Sequence, residues 1–374
     1  MKRLFKNITL LICIVLATSI FINFFTPFYW GDYTQTTKIL HYQSNPSRYN
    51  AIFFGGSLEY RHINPAVVDA VAKQNNISLS SFNAGVDGHN IIQELRDMEG
   101  ILKIKNPELK YVFISLSSEP YFYKPNRNTE KWISWQSLSA YINAVKILPT
   151  LDESWNEKGR FIWYYTVSFV KKNFNLGLLP ALFQSYLDRP ELDAAYLGKN
   201  KDGFFPYDDE EHLLIENYKW ADETVLESNM TYKKGKTMRD SLTNSIRKSF
   251  NEYNSDMKPN KAELNILLDI IKKYAKKGID VYFILPPRAR TSYSFLLPIY
   301  YKLPKDRCIE LANPDKYPEF YTLENGYNYH HLNKKGANIY SNKLASKIAE
   351  LLNKNKVILK DSTTVLSRPS KSQF

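Results

Sequence analysis

Apolar positions fall into three kinds of run along this chain. One is a single long block near the amino terminus: no charged residue occurs from Asn7 to Gly31, and residues 8–25 are densely apolar. A block of that length is able to span a bilayer. A second kind is short, at residues 51–54, 78–82, 111–116, 279–285 and 308–311. These runs are rich in aromatic and β-branched residues, which suits strands buried on both faces. The third kind repeats at helical spacing. Val67, Ala70 and Val71 follow Asn64-Pro65, an N-cap with proline at the first helical position. Ile92, Leu95, Met98, Ile101 and Leu102 predict a helix from about His89 that Asn106-Pro107 stops. Leu264, Leu267, Leu268 and Ile271 stripe residues 262–277 ahead of a C-capping Gly278, and Ala337, Leu344, Ile348 and Leu351 mark a last helix.

Strand and helix runs alternate as βαβαβ, which predicts an α/β fold with a parallel sheet. Residues 121–258 break the rhythm and read as a largely helical, aromatic-rich insertion over the rim of that sheet. It contains Trp132, Trp135, Trp155 and Trp163, and core packing is the expected role of most of its rings. Its segment 159–183, GRFIWYYTVSFVKKNFNLGLLPALF, has the composition to shape a lid, hold a sugar or rest on a membrane surface. The expected organisation is therefore an anchor at 1–30, an α/β domain at 31–120 and 259–353, the insertion at 121–258, and a polar, disordered tail at 354–374.

Charge refines the picture at the amino terminus. Lys2, Arg3 and Lys6 precede the long apolar block, so its start should stay cytoplasmic and the rest of the chain lie outside. The apolar run continues past Ala17, Thr18 and Ser19, which favours a retained signal anchor over a cleaved leader. Ile12 stands before Cys13 where a lipoprotein signal needs a small residue. The chain has 2 cysteines, and with Cys13 in the apolar block Cys308 lacks an intramolecular partner. The formal net charge of +12 invites a nucleic-acid reading, but the basic residues are dispersed and no nucleic-acid module is present. Attraction to anionic lipid or an anionic cell-wall polymer fits better. The histidines show no ligand-like spacing, so no metal site is expected.

The candidate chemistry sits at strand ends. Ser57 follows Gly55-Gly56 after the first strand, Gly85 follows the second, and Ser117 and Ser118 follow the third, so all could reach one rim. Gly-Gly-Ser is also ordinary turn chemistry, and alone it favours a capping role for Ser57. Arg288 and Arg290 follow the fourth strand and suit either an anionic or hydroxyl-rich substrate or plain solvation. His330 and His331 lie in a loop just before the last helix.

Gly55-Gly56-Ser57, Gly85, and His331-Leu332-Asn333-Lys334-Lys335-Gly336-Ala337 together resemble the SGNH (GDSL-type) hydrolase superfamily. The likeness is to its membrane-anchored bacterial branch, which includes DltD-like and alginate O-acetylation proteins, and it covers residues 50–120 and 260–352. It implies a flavodoxin-like three-layer sandwich, with Ser57 as nucleophile and His331 as general base. The backbone N–H groups of Ser57 and Gly85, with Ser117 and Ser118, would form the oxyanion hole. His330 would pack. Two positions depart from the family pattern. Asn328 stands where an aspartate is usual, leaving Asn328, a backbone carbonyl, Asp315 or Glu324 as candidates to orient the base, and Ser117-Ser118 stand where an asparagine donor is common. The resemblance implies an extracytoplasmic acyltransferase or esterase, single-pass in the bacterial cytoplasmic membrane. It would transfer an acyl group, by expectation acetyl, through Ser57 to a cell-surface polysaccharide or glycopolymer. No metal or organic cofactor is expected, and a multispanning membrane O-acyltransferase is the expected partner. The alternative is a degenerate SGNH domain that binds glycan or scaffolds a synthesis complex.

Overall fold

The computed structural model describes residues 1–116, 129–187, 194–209, 236–287, 293–328 and 331–366. Its helices are α1 (Lys2–Phe25), α2 (Tyr33–Ser44), α3 (Ser57–His62), α4 (Pro65–Gln74), α5 (Ile91–Ile101), α6 (Glu130–Ser134), α7 (Leu138–Ile147), α8 (Trp155–Asn173) and α9 (Leu179–Leu187). They continue with α10 (Lys236–Glu252), α11 (Lys261–Ala275), α12 (Tyr293–Tyr300) and α13 (Lys334–Leu366). The strands are β1 (Ala51–Phe54), β2 (Ser81–Asn83), β3 (Tyr111–Ser115), β4 (Asp280–Leu285) and β5 (Cys308–Glu310).

The five strands form one sheet in the order β2-β1-β3-β4-β5, parallel at every pairing. The chain leaves β1 toward β2, then crosses back to β3, so the connections diverge on either side of β1. In open parallel sheets that divergence opens a crevice at the carboxyl ends of the strands. Successive residues alternate between two cores, as the strand period requires. Ile52, Phe54, Val112, Ile114, Val281, Phe283 and Leu285 face a core shared with α2, α5, α7 and α11. Ala51, Phe53, Phe113, Tyr282 and Ile284 face a second core closed by α4 and α13.

Several element ends differ from the sequence expectation for local reasons. β2 begins at Ser81 because the Ser80 N–H, which would extend the ladder with β1, is drawn to Asn50 Oδ1 (2.9 Å), while the Asp69 carboxylate takes the outward Ser81 N–H (2.9 Å) and the Ser81 hydroxyl. α5 starts at Ile91, two residues after His89, because Asn90 and Gln93 form a reciprocal capping box. α13 continues through Leu366, into the stretch expected to be a disordered tail. No glycine or proline lies between Gly336 and Pro369 to end it.

α1 is long and apolar enough to cross a membrane. Residues after it pack directly into the domain, across the expected boundary at residue 30. Trp30 is buried in the larger core, Arg96 donates to the Phe28 carbonyl, and the Thr36 hydroxyl donates to the Tyr29 carbonyl (2.8 Å). Trp132, Trp135 and Tyr165 of the insertion meet edge to face within the same core, as their composition predicted. The Trp132 indole N–H is satisfied by Ser168 Oγ at 3.2 Å.

Candidate functional site

Ser57 is the first residue of α3, directly at the carboxyl end of β1, and its side chain is half-buried. The helix expected to follow the turn, α4, starts only at Pro65, so the serine has a short helix of its own. First-turn amides of a helix have no intrahelical acceptor, and Gly56 supplies no side-chain cap, so the Ser57 N–H has no partner within α3.

His331 approaches from the loop before α13. Its Nε2 is 2.9 Å from Ser57 Oγ, and its Nδ1 is 3.2 Å from Asn328 Oδ1. The proton positions follow from the partners. The backbone N–H of His331 also meets Asn328 Oδ1, at 2.9 Å, and a backbone N–H can only donate. The atom facing it must therefore be the amide oxygen. Nδ1, facing the same oxygen, must carry the ring proton, so Nε2 presents a lone pair to the Ser57 hydroxyl. That tautomer is the one a general base needs. Of the candidates to orient the base, Asn328 is in contact with His331 Nδ1 through its side-chain oxygen and not through a backbone carbonyl. Asp315 pairs with Arg247 Nε at 2.5 Å, and the exposed Glu324 pairs with Lys335.

The loop holding His331 is closed on itself. The His331 carbonyl accepts from the N–H groups of Tyr327 (2.8 Å) and Asn328 (3.3 Å), and Gly326 bridges Leu332. His62, the last residue of α3, accepts the Leu332 N–H at Nε2 (2.9 Å). Asn64, just beyond α3, donates its N–H to Ser341 Oγ (2.8 Å) and its amide to Asn338 Oδ1 (2.9 Å) on α13. Both ends of the Ser57–His331 contact are thus fixed by one α3–α13 interface.

Gly85 occupies the turn after β2, but its amide is committed. The Gly85 N–H donates to Asn83 Oδ1 at 2.9 Å, and the Asn83 amide group donates to the carbonyls of Glu59 and Ile63, both at 2.7 Å. Asn83 thereby caps the carboxyl end of α3 and spends the donor that the family pattern assigns to an oxyanion hole. Gly85 has a steric role as well: a Cβ there would lie 2.6 Å from the Tyr60 nitrogen. Lys38, fully buried, donates to the Gly85 carbonyl at 2.5 Å and sits 3.7 Å from the Tyr60 ring centroid. Burial pushes this lysine well below its ordinary value. Arg61 pairs with the Asp87 carboxylate and Lys131 donates to the Asp87 carbonyl (3.0 Å). Lys38, Arg61 and Lys131 thus hold the turn at residues 85–87.

Residues 202–209 of the insertion form a strap from β2 to α13. The Asn83 N–H donates to the Asp202 carbonyl (2.8 Å), Arg61 to the Phe205 carbonyl (3.0 Å), and the Lys334 N–H to the Asp208 carboxylate (2.6 Å). Gly203 has φ +90°, and a Cβ there would run into the Asn83 carbonyl. The strap delivers Tyr207, whose ring meets His331 edge to face at 4.7 Å, stacks on Tyr327 at 5.0 Å and lies 4.1 Å from the Arg61 guanidinium.

Behind the turn, His89 lies between Asp97 (2.9 Å from Nδ1) and Asp32 (3.5 Å from Nε2), with Lys131 2.8 Å from Asp32. Burial alone would lower His89, but the two carboxylates outweigh it and raise it above 6.5. Burial would likewise raise Asp32, but the His89 N–H and the Lys131 and His89 charges hold it below the usual carboxylate range. This cluster ties α2, α5 and α6 together.

The structure therefore brings together Ser57, His331 and Asn328, and places Gly85 nearby with its amide occupied. Ser117, Ser118, Arg288, Arg290 and His330 lie outside the described residues. Sequence reasoning passed over His62, Asn83, Lys38 and Tyr207. Asn83 carried a usable signal, a polar residue at the end of a buried strand two positions before the glycine. Tyr207 carried none, because its contact spans 124 residues of sequence (331 minus 207). Among groups of described residues, no three His, Cys, Asp or Glu side chains form a candidate metal site. No protein-family model matches the chain, and no curated protein matches it.

Proposed function

We propose that this chain is a serine esterase or O-acyltransferase of the SGNH type, built on a flavodoxin-like three-layer framework. It is anchored by α1 in a bacterial cytoplasmic membrane and works on a cell-surface polysaccharide or glycopolymer outside it. The observation that carries the reading is the Ser57–His331–Asn328 relay, with its lone pair on Nε2 and its proton on Nδ1.

The reaction follows from that relay. Ser57 Oγ attacks the acyl carbonyl of the donor while His331 Nε2 takes the hydroxyl proton. The carbonyl oxygen gains the negative charge, which the Ser57 N–H at the start of α3 stabilises. The tetrahedral intermediate collapses, the bond to the leaving oxygen breaks, and His331 returns the proton to it. A sugar hydroxyl, or water, then gives its proton to His331 and attacks acyl-Ser57; the bond between the acyl carbon and Oγ breaks, and His331 returns the proton to Ser57 Oγ. Asn328 keeps the ring oriented throughout but supplies no charge to the imidazolium.

The test is reaction of the full-length chain, in detergent, with a fluorophosphonate probe. Labelling is expected on Ser57, with loss in Ser57→Ala and strong slowing in His331→Ala. Equal labelling of Ser57→Ala would refute the reading. Comparing envelope polymers of wild-type and Ser57→Ala cells by mass then identifies the acylated product. A second, non-catalytic reading as a glycan-binding scaffold is favoured by the neutral Asn328 and by the Gly85 amide being occupied. It predicts an unlabelled Ser57 and unchanged polymer acylation in Ser57→Ala.

A further inference from the structure

We infer that the corner joining α8 to α9, residues 174–183, is a wedge inserted among lipid acyl chains beside the last two turns of α1. The inference rests on the reading of α1 as a membrane-spanning helix.

Depth comes from α1 itself. Its 24 residues measure about 36 Å at about 1.5 Å per residue, against a hydrocarbon layer of about 30 Å. Centring the whole helix puts Ser19 about 6 Å inside the hydrocarbon; placing only the uncharged part there puts it about 9 Å inside. Asn23 then lies at or near the boundary. These two polar residues are the ones that hold the corner. Ser19 Oγ donates to the Phe174 carbonyl (2.9 Å), Asn23 Nδ2 to the Asn173 carbonyl (2.6 Å), and Asn175 Nδ2 to the Ser19 carbonyl (3.0 Å). The end of α8 is therefore at the depth of Ser19 and Asn23.

Hydrocarbon offers no donors to the free carbonyls that end a helix, so backbone can turn at that depth only if protein satisfies it. α1 provides those donors, which accounts for Ser19 and Asn23 in the largely apolar second half of α1. The outward side chains of the corner are also what lipid requires. Leu176 is 52% and Phe183 62% exposed, and Leu179 and Pro180 are exposed between them. No charged residue occurs from Asn173 to Leu187.

The test is nitroxide power saturation on the full chain in phosphatidylcholine–phosphatidylglycerol vesicles. Cys13→Ser and Cys308→Ser remove the native thiols. Single labels then go at Leu176→Cys and Phe183→Cys, with Val15→Cys on α1 and Lys272→Cys on α11 as lipid and water references. All four positions are exposed, so the substitutions leave the core intact. Labels at 176 and 183 are expected to be relaxed by oxygen in preference to a water-soluble nickel chelate, as at 15 and opposite to 272. Nickel accessibility at 176 and 183 with 15 still in lipid overturns the wedge and leaves the anchor standing. Protection from both reagents overturns it in favour of a protein partner or a second copy covering the corner. Nickel accessibility at 15 overturns the anchor, and the wedge with it.

Discussion

Replacing Asn328 with aspartate tests the relay at its weakest member. The side chains are nearly isosteric, so the oxygen that accepts from His331 Nδ1 at 3.2 Å and from its backbone N–H at 2.9 Å stays in place and gains a charge. Unit charges at that separation attract by about 1.3 kcal/mol in a water-like dielectric and about 5 kcal/mol at an effective value of about 20. The site is half-buried and water-accessible, so the lower end is the better guide. Because about 1.4 kcal/mol corresponds to one pH unit, the acid limb of the pH–rate profile should move upward by about one unit or more. The plateau above that limb should rise about tenfold, since the same attraction stabilises the imidazolium formed as Ser57 attacks. The assay is hydrolysis of a small chromogenic acyl ester from pH 5 to 9, with fluorophosphonate labelling rates as a check. An acid limb and plateau identical to wild type would show that Asn328 does not act through His331, and the proton assignment would fall with it.

Three further perturbations follow from the contacts around the relay. His62→Ala leaves the Leu332 N–H without its acceptor, a loss of about 1–3 kcal/mol that a urea titration would detect; His62→Gln, which restores an acceptor, should recover part of it and of the labelling rate. Gly203→Ala combines a positive φ with a collision against the Asn83 carbonyl, so it should cost about 2 kcal/mol or more and slow Ser57 labelling as Tyr207 leaves His331. His89 is raised above 6.5 in the folded chain, so its contribution is complete below that pH and is lost as pH rises through the folded value. The melting temperature by circular dichroism should therefore fall on the alkaline side of 6.5, and His89→Gln should flatten that slope; an unchanged slope would exclude the His89 cluster as its source.

Much of the framework was legible because it is local. Continuous apolar runs mark β1, β3 and β4, and the periodic stripe and caps mark α11 and the start of α13. Ser57 and His331 were legible as residues at a strand end and before a helix, but pattern alone made Ser57 a turn residue, and only the resemblance carried by Gly55-Gly56-Ser57 and His331-Leu332-Asn333 paired the two. Ends set by distant partners were not legible. The Asn50 side chain takes the Ser80 N–H and so decides where β2 begins, and nothing near residue 80 announces it. The capping box that shifts α5 to Ile91 was readable from Asn90 and Gln93 once the turn was known to leave His89 behind. The occupied Gly85 amide depends on how Asn83 lies against α3, a fact of packing and not of pattern. Asn328 shows the middle case: the sequence marked it as a departure, and only the shared contact of its oxygen with two His331 donors says what it does instead.

The join between α1 and the domain contains no slack. Trp30 is buried, the carbonyls of Phe28 and Tyr29 are held by Arg96 and Thr36, and Asp32 is fixed by Lys131 at 2.8 Å. With α1 in a bilayer, this join holds Ser57 at one height relative to the lipid. Under the function proposed above, the moving part would have to be the acceptor: a flexible strand that dips to the serine could be modified wherever it touches down, while material held far from the membrane would stay beyond its range. Lengthening the join by a few glycines would turn a fixed station into a tethered one and widen the zone it serves.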